Sequence, residues 1–184
     1  MREVKLDKEN VINALKNAGC IKRGIFKLSS GNISNIYIDI RLLYSKPEEL
    51  NTILEAMEAL LNKLKCDYIC GIATGGLPLA SMLALRRRKP LLYVRKEAKK
   101  YGTKRKVEGI EGRISGKVVI VDDVLTTGSS VLSAVKALRE LGSHVEDVIV
   151  VVNRSKESNP LTKEGIRLYS LLKLDDILSS EDGL

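Results

Sequence analysis

Asp122 and Asp123 follow the apolar run VVIV directly, and LTTGSS follows them in turn. Two neighbouring carboxylates raise each other's pKa, so the pair is costly unless something offsets it. A divalent cation would do so, and so would sugar hydroxyls donating hydrogen bonds. Behind the pair, Thr127, Gly128, Ser129 and Ser130 stand where a helical pattern opens. A helix N-terminus presents free N–H groups and the positive end of its dipole, which together favour a phosphate. Gly128 lets the backbone come close, and the three hydroxyls add donors. The segment suits a ribose carrying a phosphate, with acids for the ring hydroxyls and a cup for the phosphate. The plainer reading is a helix capped by Ser129 or Ser130 with solvated aspartates before it. Buried strand, acidic pair and hydroxyl–glycine cup in succession favour the functional one.

Three more stretches carry chemistry. ATGG, with Thr74, Gly75 and Gly76, follows the apolar DYICGI. RKEAKKYGTKRK, residues 95–106, gathers cations behind PLLYV. Arg154 follows VIVVVN. Other phosphate motifs are missing: there is no G-x-x-x-x-G-K-[ST] and no G-x-G-x-x-G behind a strand. A receiver domain would need a third aspartate at another strand end, and no good candidate exists.

The elements that must hold these residues alternate. LDKENVINALKNAG reads as a helix capped by Asp7 and ended by Gly19. GIFKLSSG and SNIYIDIR read as two short strands turning at Gly31 and Asn32. Pro47 opens a helix whose apolar stripe is Leu50, Ile53, Leu54, Met57, Leu60, Leu61 and Leu64. Strands DYICGI, PLLYV, KVVIV, VEDVIVVVN and IRLYSLL then alternate with helices LPLASMLALRR and SSVLSAVKALRELG, and LDDILSS closes the chain as a short helix. This order predicts an α/β fold with a mostly parallel sheet flanked by helices on both faces. Ligands of such sheets bind beyond the carboxyl ends of the strands. ATGG, the basic stretch, the acidic pair and Arg154 are therefore expected on one rim. Residues 95–116 have almost no apolar periodicity and are too long for an ordinary connection, which predicts a mobile functional loop.

The 184 residues suit a single domain, and 44% hydrophobic residues suffice for a sizeable core. No apolar run reaches the roughly 18 residues of a membrane span, and the start MREVKLDKEN lacks a signal-peptide stretch. A cytoplasmic location is the default expectation, with no membrane partner. Cys20, Cys66 and Cys70 have no metal spacing and His144 is the one histidine, so a zinc site is not expected. The thiols read as reduced, and His144 as an exposed turn residue. The net charge of +8 admits nucleic acid or a highly phosphorylated small substrate. With 4% aromatics and no tryptophan, a stacking platform for single strands has little support. RRRK, residues 86–89, ends a helix where cations suit the dipole, and reads as structural or interfacial.

VVIVDDVLTTGSS resembles the phosphoribosyl-pyrophosphate motif of type I phosphoribosyltransferases. GIFKLSSGNISNIYIDIR, GIATGGLPLA and YVRKEAKKYGTKRKVEG resemble, in the same order, the N-terminal segment, pyrophosphate loop and catalytic loop of the orotate phosphoribosyltransferases. The catalytic loop has the form seen in the eukaryotic bifunctional enzyme. The resemblance spans about residues 20 to 155. It implies the type I fold with a small N-terminal hood within residues 1–45 and a catalytic loop at 95–116. The implied reaction joins orotate and 5-phosphoribosyl 1-pyrophosphate (PRPP), with Mg²⁺, to give orotidine 5′-monophosphate and pyrophosphate, a step of UMP biosynthesis. By the same resemblance, Asp122 and Asp123 hold the ribose hydroxyls or metal-bound waters. Thr127, Gly128, Ser129 and Ser130 cup the 5′-phosphate, and Thr126 lies near ribose and base. Thr74, Gly75 and Gly76 underlie the pyrophosphate. Arg95, Lys96 and Lys99 bind it, Lys99 being the catalytic loop lysine. Arg154 meets the orotate carboxylate. A homodimer is implied, its loop reaching the neighbouring site.

Three positions depart from the usual pattern. Tyr101 stands where many members have histidine, as it does in the eukaryotic-type loop. Ser29 replaces a common lysine, whose contact is lost or passes to Lys27. The surroundings of Arg154 read NRSKESNP rather than DR followed by glycines. A purine phosphoribosyltransferase would share the cup but not the LSSG…YIDIR segment. A nucleic-acid-binding regulator on this fold would need an added helical module, for which 184 residues leave little room.

Overall fold

In a computed structural model of the chain, residues 7–27, 31, 33–96, 105–155 and 160–180 are described. Asp7 caps the first helix, α1 (Lys8–Asn17), by accepting the Asn10 N–H at 3.1 Å. β1 (Ile21–Lys27) and β2 (Ile33–Ile38) form an antiparallel hairpin that is a sheet of its own. Most of β1 is exposed, whereas Ile36 and Ile38 of β2 reach into the main core. A 3₁₀ turn (Ile40–Ser45) leads to α2 (Pro47–Leu61). Leu64, the last residue of the apolar stripe, lies past the helix end yet still packs on the core.

The main sheet is built from β3 (Tyr68–Ile72), β4 (Leu91–Val94), β5 (Val107–Glu108), β6 (Lys117–Leu125), β7 (His144–Asn153) and β8 (Arg167–Lys173). Its order is β5-β4-β3-β6-β7-β8, parallel except for β5 at the edge. The helices between are α3 (Gly76–Arg87), α4 (Ser129–Glu140), α5 (Pro160–Lys163) and α6 (Leu174–Ser179). Alternate strand residues feed two cores: Val119 and Val121 pack with Leu15, Met57 and Leu83, while Val118 and Ile120 pack with Val135 and Leu138. Burial on both faces explains why these strands read as unbroken apolar runs. Among the described residues no helix is long and apolar enough to cross a membrane.

Four details differ from the expectation. β6 does not stop before the acids but continues through them to Leu125, because β7 pairs along it as Asp122↔Val150 and Leu125↔Asn153. The stretch 95–116 is not irregular throughout: Val107 and Glu108 pair with β4, and Ile114 is buried. Two residues are too few to display a period. α5 is a single turn that no apolar pattern announces. His144 is exposed as expected, but it opens β7 rather than sitting in a turn. Cys20 and Cys70 are buried free thiols, and Cys66 is a half-buried one.

Candidate functional site

β3 ends at Ile72, and Ala73, Thr74 and Gly75 turn the chain into α3. This turn lies directly against the acidic pair. A Cβ on Gly75 would fall 2.1 Å from Asp123 Oδ2, and one on Gly76 would fall 2.4 Å from the Val121 carbonyl oxygen. Glycine is thus the residue that lets α3 and β6 meet here.

Asp122 is buried, and its Oδ1 accepts the Asp123 N–H at 3.0 Å. Burial, and then the adjacent Asp123 charge, raise its pKa well above the ordinary carboxylate value. Asp123 is half-buried and accepts the Val124 N–H at 2.8 Å. The turn behind them is capped by Gly128 in a left-handed conformation (φ 77°), not by Ser129 or Ser130. That frees both hydroxyls from a capping role. Ser129 Oγ lies 3.1 Å from Thr127 Oγ1.

A cleft of about 730 Å³ opens above these groups. Thr74, Gly75, Asp122, Asp123, Thr126, Ser129 and Ser130 line it, as do Arg95, Lys96 and Arg154. Among the described residues the four motifs expected on one rim do converge, the basic stretch through Arg95 and Lys96. Gly76 instead packs against β6, and Thr127 and Gly128, between Thr126 and Ser129 in the chain, do not line the cleft. Lys99, Tyr101 and Ser29 lie outside the described residues, whereas Lys27 lines the cleft.

Arg95 is anchored to Glu108 at 2.9 Å, with its guanidinium 5.6 Å from the Tyr93 ring centre. The Arg95 backbone N–H donates to the Lys106 carbonyl at 2.9 Å, so the two flanks of the basic stretch are joined at their base. Arg154 Nη2 donates to Ser34 Oγ at 3.0 Å and to the Ile36 carbonyl at 3.3 Å. Burial lowers its pKa from the usual guanidinium value. Arg154 therefore ties the hairpin to the rim of the main sheet.

Sequence reasoning missed a further wall. Tyr37, Ile38, Asp39 and Arg41 line the cleft, while Ile36 and Ile40 are buried and do not. The alternation in IYIDIR was the available signal. Tyr44 Oη donates to the Gly75 carbonyl at 2.6 Å, and no motif points to it. Among the described residues no cluster of three or more His, Cys, Asp or Glu could hold a metal by itself. The adjacent Asp122 and Asp123 are oxygen donors of the kind a hard cation takes.

The phosphoribosyl transferase domain family matches residues 42–173. The orotate phosphoribosyltransferase of Pyrobaculum aerophilum is 44% identical over 171 residues, covering 91% of this chain and 88% of that protein. That of Methanocaldococcus jannaschii is 44% identical over 177 residues, covering 95% and 98%. The crystal structure of orotate phosphoribosyltransferase from Aeropyrum pernix resembles this fold with a TM-score of 0.82 at 39% identity, covering 95% of this chain and 99% of that one.

Proposed function

The chain belongs to the orotate phosphoribosyltransferases of the phosphoribosyl transferase family, and on that premise we propose that it transfers the phosphoribosyl group of PRPP to orotate, giving orotidine 5′-monophosphate and pyrophosphate. The observation that carries this reading is the packing of the acidic pair against Gly75 and Gly76, in one cleft with the hydroxyl cup and Arg154. Residues 127–130 take the 5′-phosphate, Thr126 lies near ribose and base, Asp122 and Asp123 take the ribose hydroxyls, and residues 74–76 the pyrophosphate. Arg154 pairs with the orotate carboxylate. The bond from C1′ to the pyrophosphate oxygen breaks as a ring nitrogen of orotate bonds to C1′, through an oxocarbenium-like ribose, and the proton of that nitrogen leaves with the pyrophosphate.

No protein nucleophile is required. The chain holds both reactants in line and stabilises the charge gathering on the leaving group. Asp122 and Asp123 would hold Mg²⁺ through water or the ribose hydroxyls, and the ion when bound neutralises pyrophosphate charge. Arg95 and Lys96 contribute cations to the same end.

The test is orotate consumption by the intact protein. We expect it to require both PRPP and Mg²⁺ and to stop on chelation. Arg154→Ala should raise KM for orotate about ten- to a hundredfold, the range for a charge-assisted hydrogen bond, with KM for PRPP little changed. Lysine should not restore it, because a carboxylate takes two parallel bonds from a guanidinium. Consumption of adenine or hypoxanthine in place of orotate would refute the assignment. If the two KM values move together, Arg154 acts only by holding β2.

Lys99 is proposed to act across a homodimer, on the partner's pyrophosphate. Lys99→Ala should lower kcat more than it raises KM. Mixing it with Asp123→Asn should restore activity towards roughly a quarter of the parent level, since one site of a randomly paired dimer carries neither defect. A mixture that stays inactive despite proven subunit exchange means the loop serves its own subunit.

A further inference from the structure

We propose that Arg41 is a pyrophosphate-binding residue, delivered into the cleft by the 3₁₀ turn that follows the hairpin. The proposal rests on the placement of pyrophosphate at residues 74–76. Arg41, in the 3₁₀ turn, lines the cleft together with Tyr37 and Asp39, whereas its neighbour Ile40 is buried in the core. Asp39 then fixes its orientation. Arg41 Nε donates to Asp39 Oδ1 at 2.7 Å and Nη2 to Oδ2 at 3.0 Å, a two-pronged pairing. The Asp39 side chain is itself only 12% exposed, and Lys22 Nζ adds a contact at 3.9 Å. The acid therefore holds the guanidinium rather than trailing after it.

Two observations aim the held guanidinium at the leaving group. The same turn carries Tyr44, whose hydroxyl donates to the Gly75 carbonyl at 2.6 Å. Turn and pyrophosphate loop are thereby joined. Arg41 also shares the cleft with Gly75 and Asp123, and the Asp123 charge reaches it, adding to the larger effects of Asp39 and Tyr37 that raise its pKa. Its Nη1 makes no hydrogen bond among the described residues, so that edge is available to an oligophosphate. The plainer reading is a surface ion pair, since the Arg41 side chain is 57% exposed. Such pairs contribute little to stability, and stability alone gives no reason to line the cleft with one.

The test compares binding of magnesium pyrophosphate and of orotidine 5′-monophosphate to the full-length protein. The nucleotide fills the phosphate, ribose and base positions but carries no pyrophosphate. Arg41→Ala should weaken pyrophosphate binding about ten- to a hundredfold and leave nucleotide affinity within about twofold. Arg41→Lys should fall between, keeping the charge but losing the fixed fork. Unchanged pyrophosphate binding overturns the proposal. Equal weakening of both ligands also overturns it, because that marks a residue that only shapes the turn. A parent protein that binds the nucleotide but not pyrophosphate overturns instead the loop assignment beneath it. A parent that binds neither points to failure of the functional reading itself.

Discussion

Asp122→Asn should give a more stable protein with at least about a hundredfold less activity, the scale on which a group aimed at the reacting centre is missed. The residue is 8% exposed and sits beside a second carboxylate. Burial and the Asp123 charge raise its folded pKa above the unfolded value. The folded state then binds this proton more tightly than the unfolded chain. Its contribution to stability is most favourable below the unfolded pKa of about 4 and declines as pH rises towards the folded pKa. Asparagine keeps the acceptor for the Asp123 N–H and turns a donor towards the Asp123 carboxylate, without the charge. The melting temperature should rise by a few degrees at neutral pH, and the gain should vanish as pH falls towards 4. Melting curves across that range, run beside the orotate assay, decide the matter. Retained activity, or a lower melting temperature at pH 7, would contradict the role given to this residue.

Gly76→Ala should damage fold and site together. Its Cβ would lie 2.4 Å from the Val121 carbonyl oxygen and 2.7 Å from Asp122 Cα, both backbone atoms of a central strand. β6 is held by β3 on one side and β7 on the other, so it cannot retreat. α3 must move instead, carrying the 74–76 turn away from the acids. Overpacking of this kind costs about 1–3 kcal/mol and occasionally more, or roughly 3–10 °C in melting temperature for a chain of this size. Activity should fall at least tenfold well below the new melting point. A melting temperature within about 2 °C of the parent would show that the helix has slack here. Gly75→Ala is the milder contrast, because the atoms it meets belong to the Asp123 side chain, which can rotate.

Legibility followed the range over which each feature is encoded. The parallel strands were readable because burial on both faces writes an apolar run into the chain itself. The acidic pair and its cup were readable because one ligand draws on consecutive residues. β5 was not, since two residues at a sheet edge carry no period. The 3₁₀ turn hid its role for another reason. Tyr44 acquires meaning only from Gly75, 31 residues on, and nothing local marks that contact. The bond between Arg154 and Ser34 joins residues 120 apart. Alternation in IYIDIR was visible, but its polar face had no partner until the fold supplied one.

The hairpin of β1 and β2 has little cohesion of its own. Two strands alone are marginal in water, and β1 adds almost nothing to the core. Part of what secures it is the grip of Arg154 on Ser34 and Ile36, exerted by the residue assigned to the orotate carboxylate. The hairpin is therefore expected to open more readily than the main sheet. A ligand that draws on Arg154 shifts that opening, and the opening alters the affinity for the ligand by the same factor. Hydrogen exchange at β2 and occupancy of the base position thus report a single equilibrium.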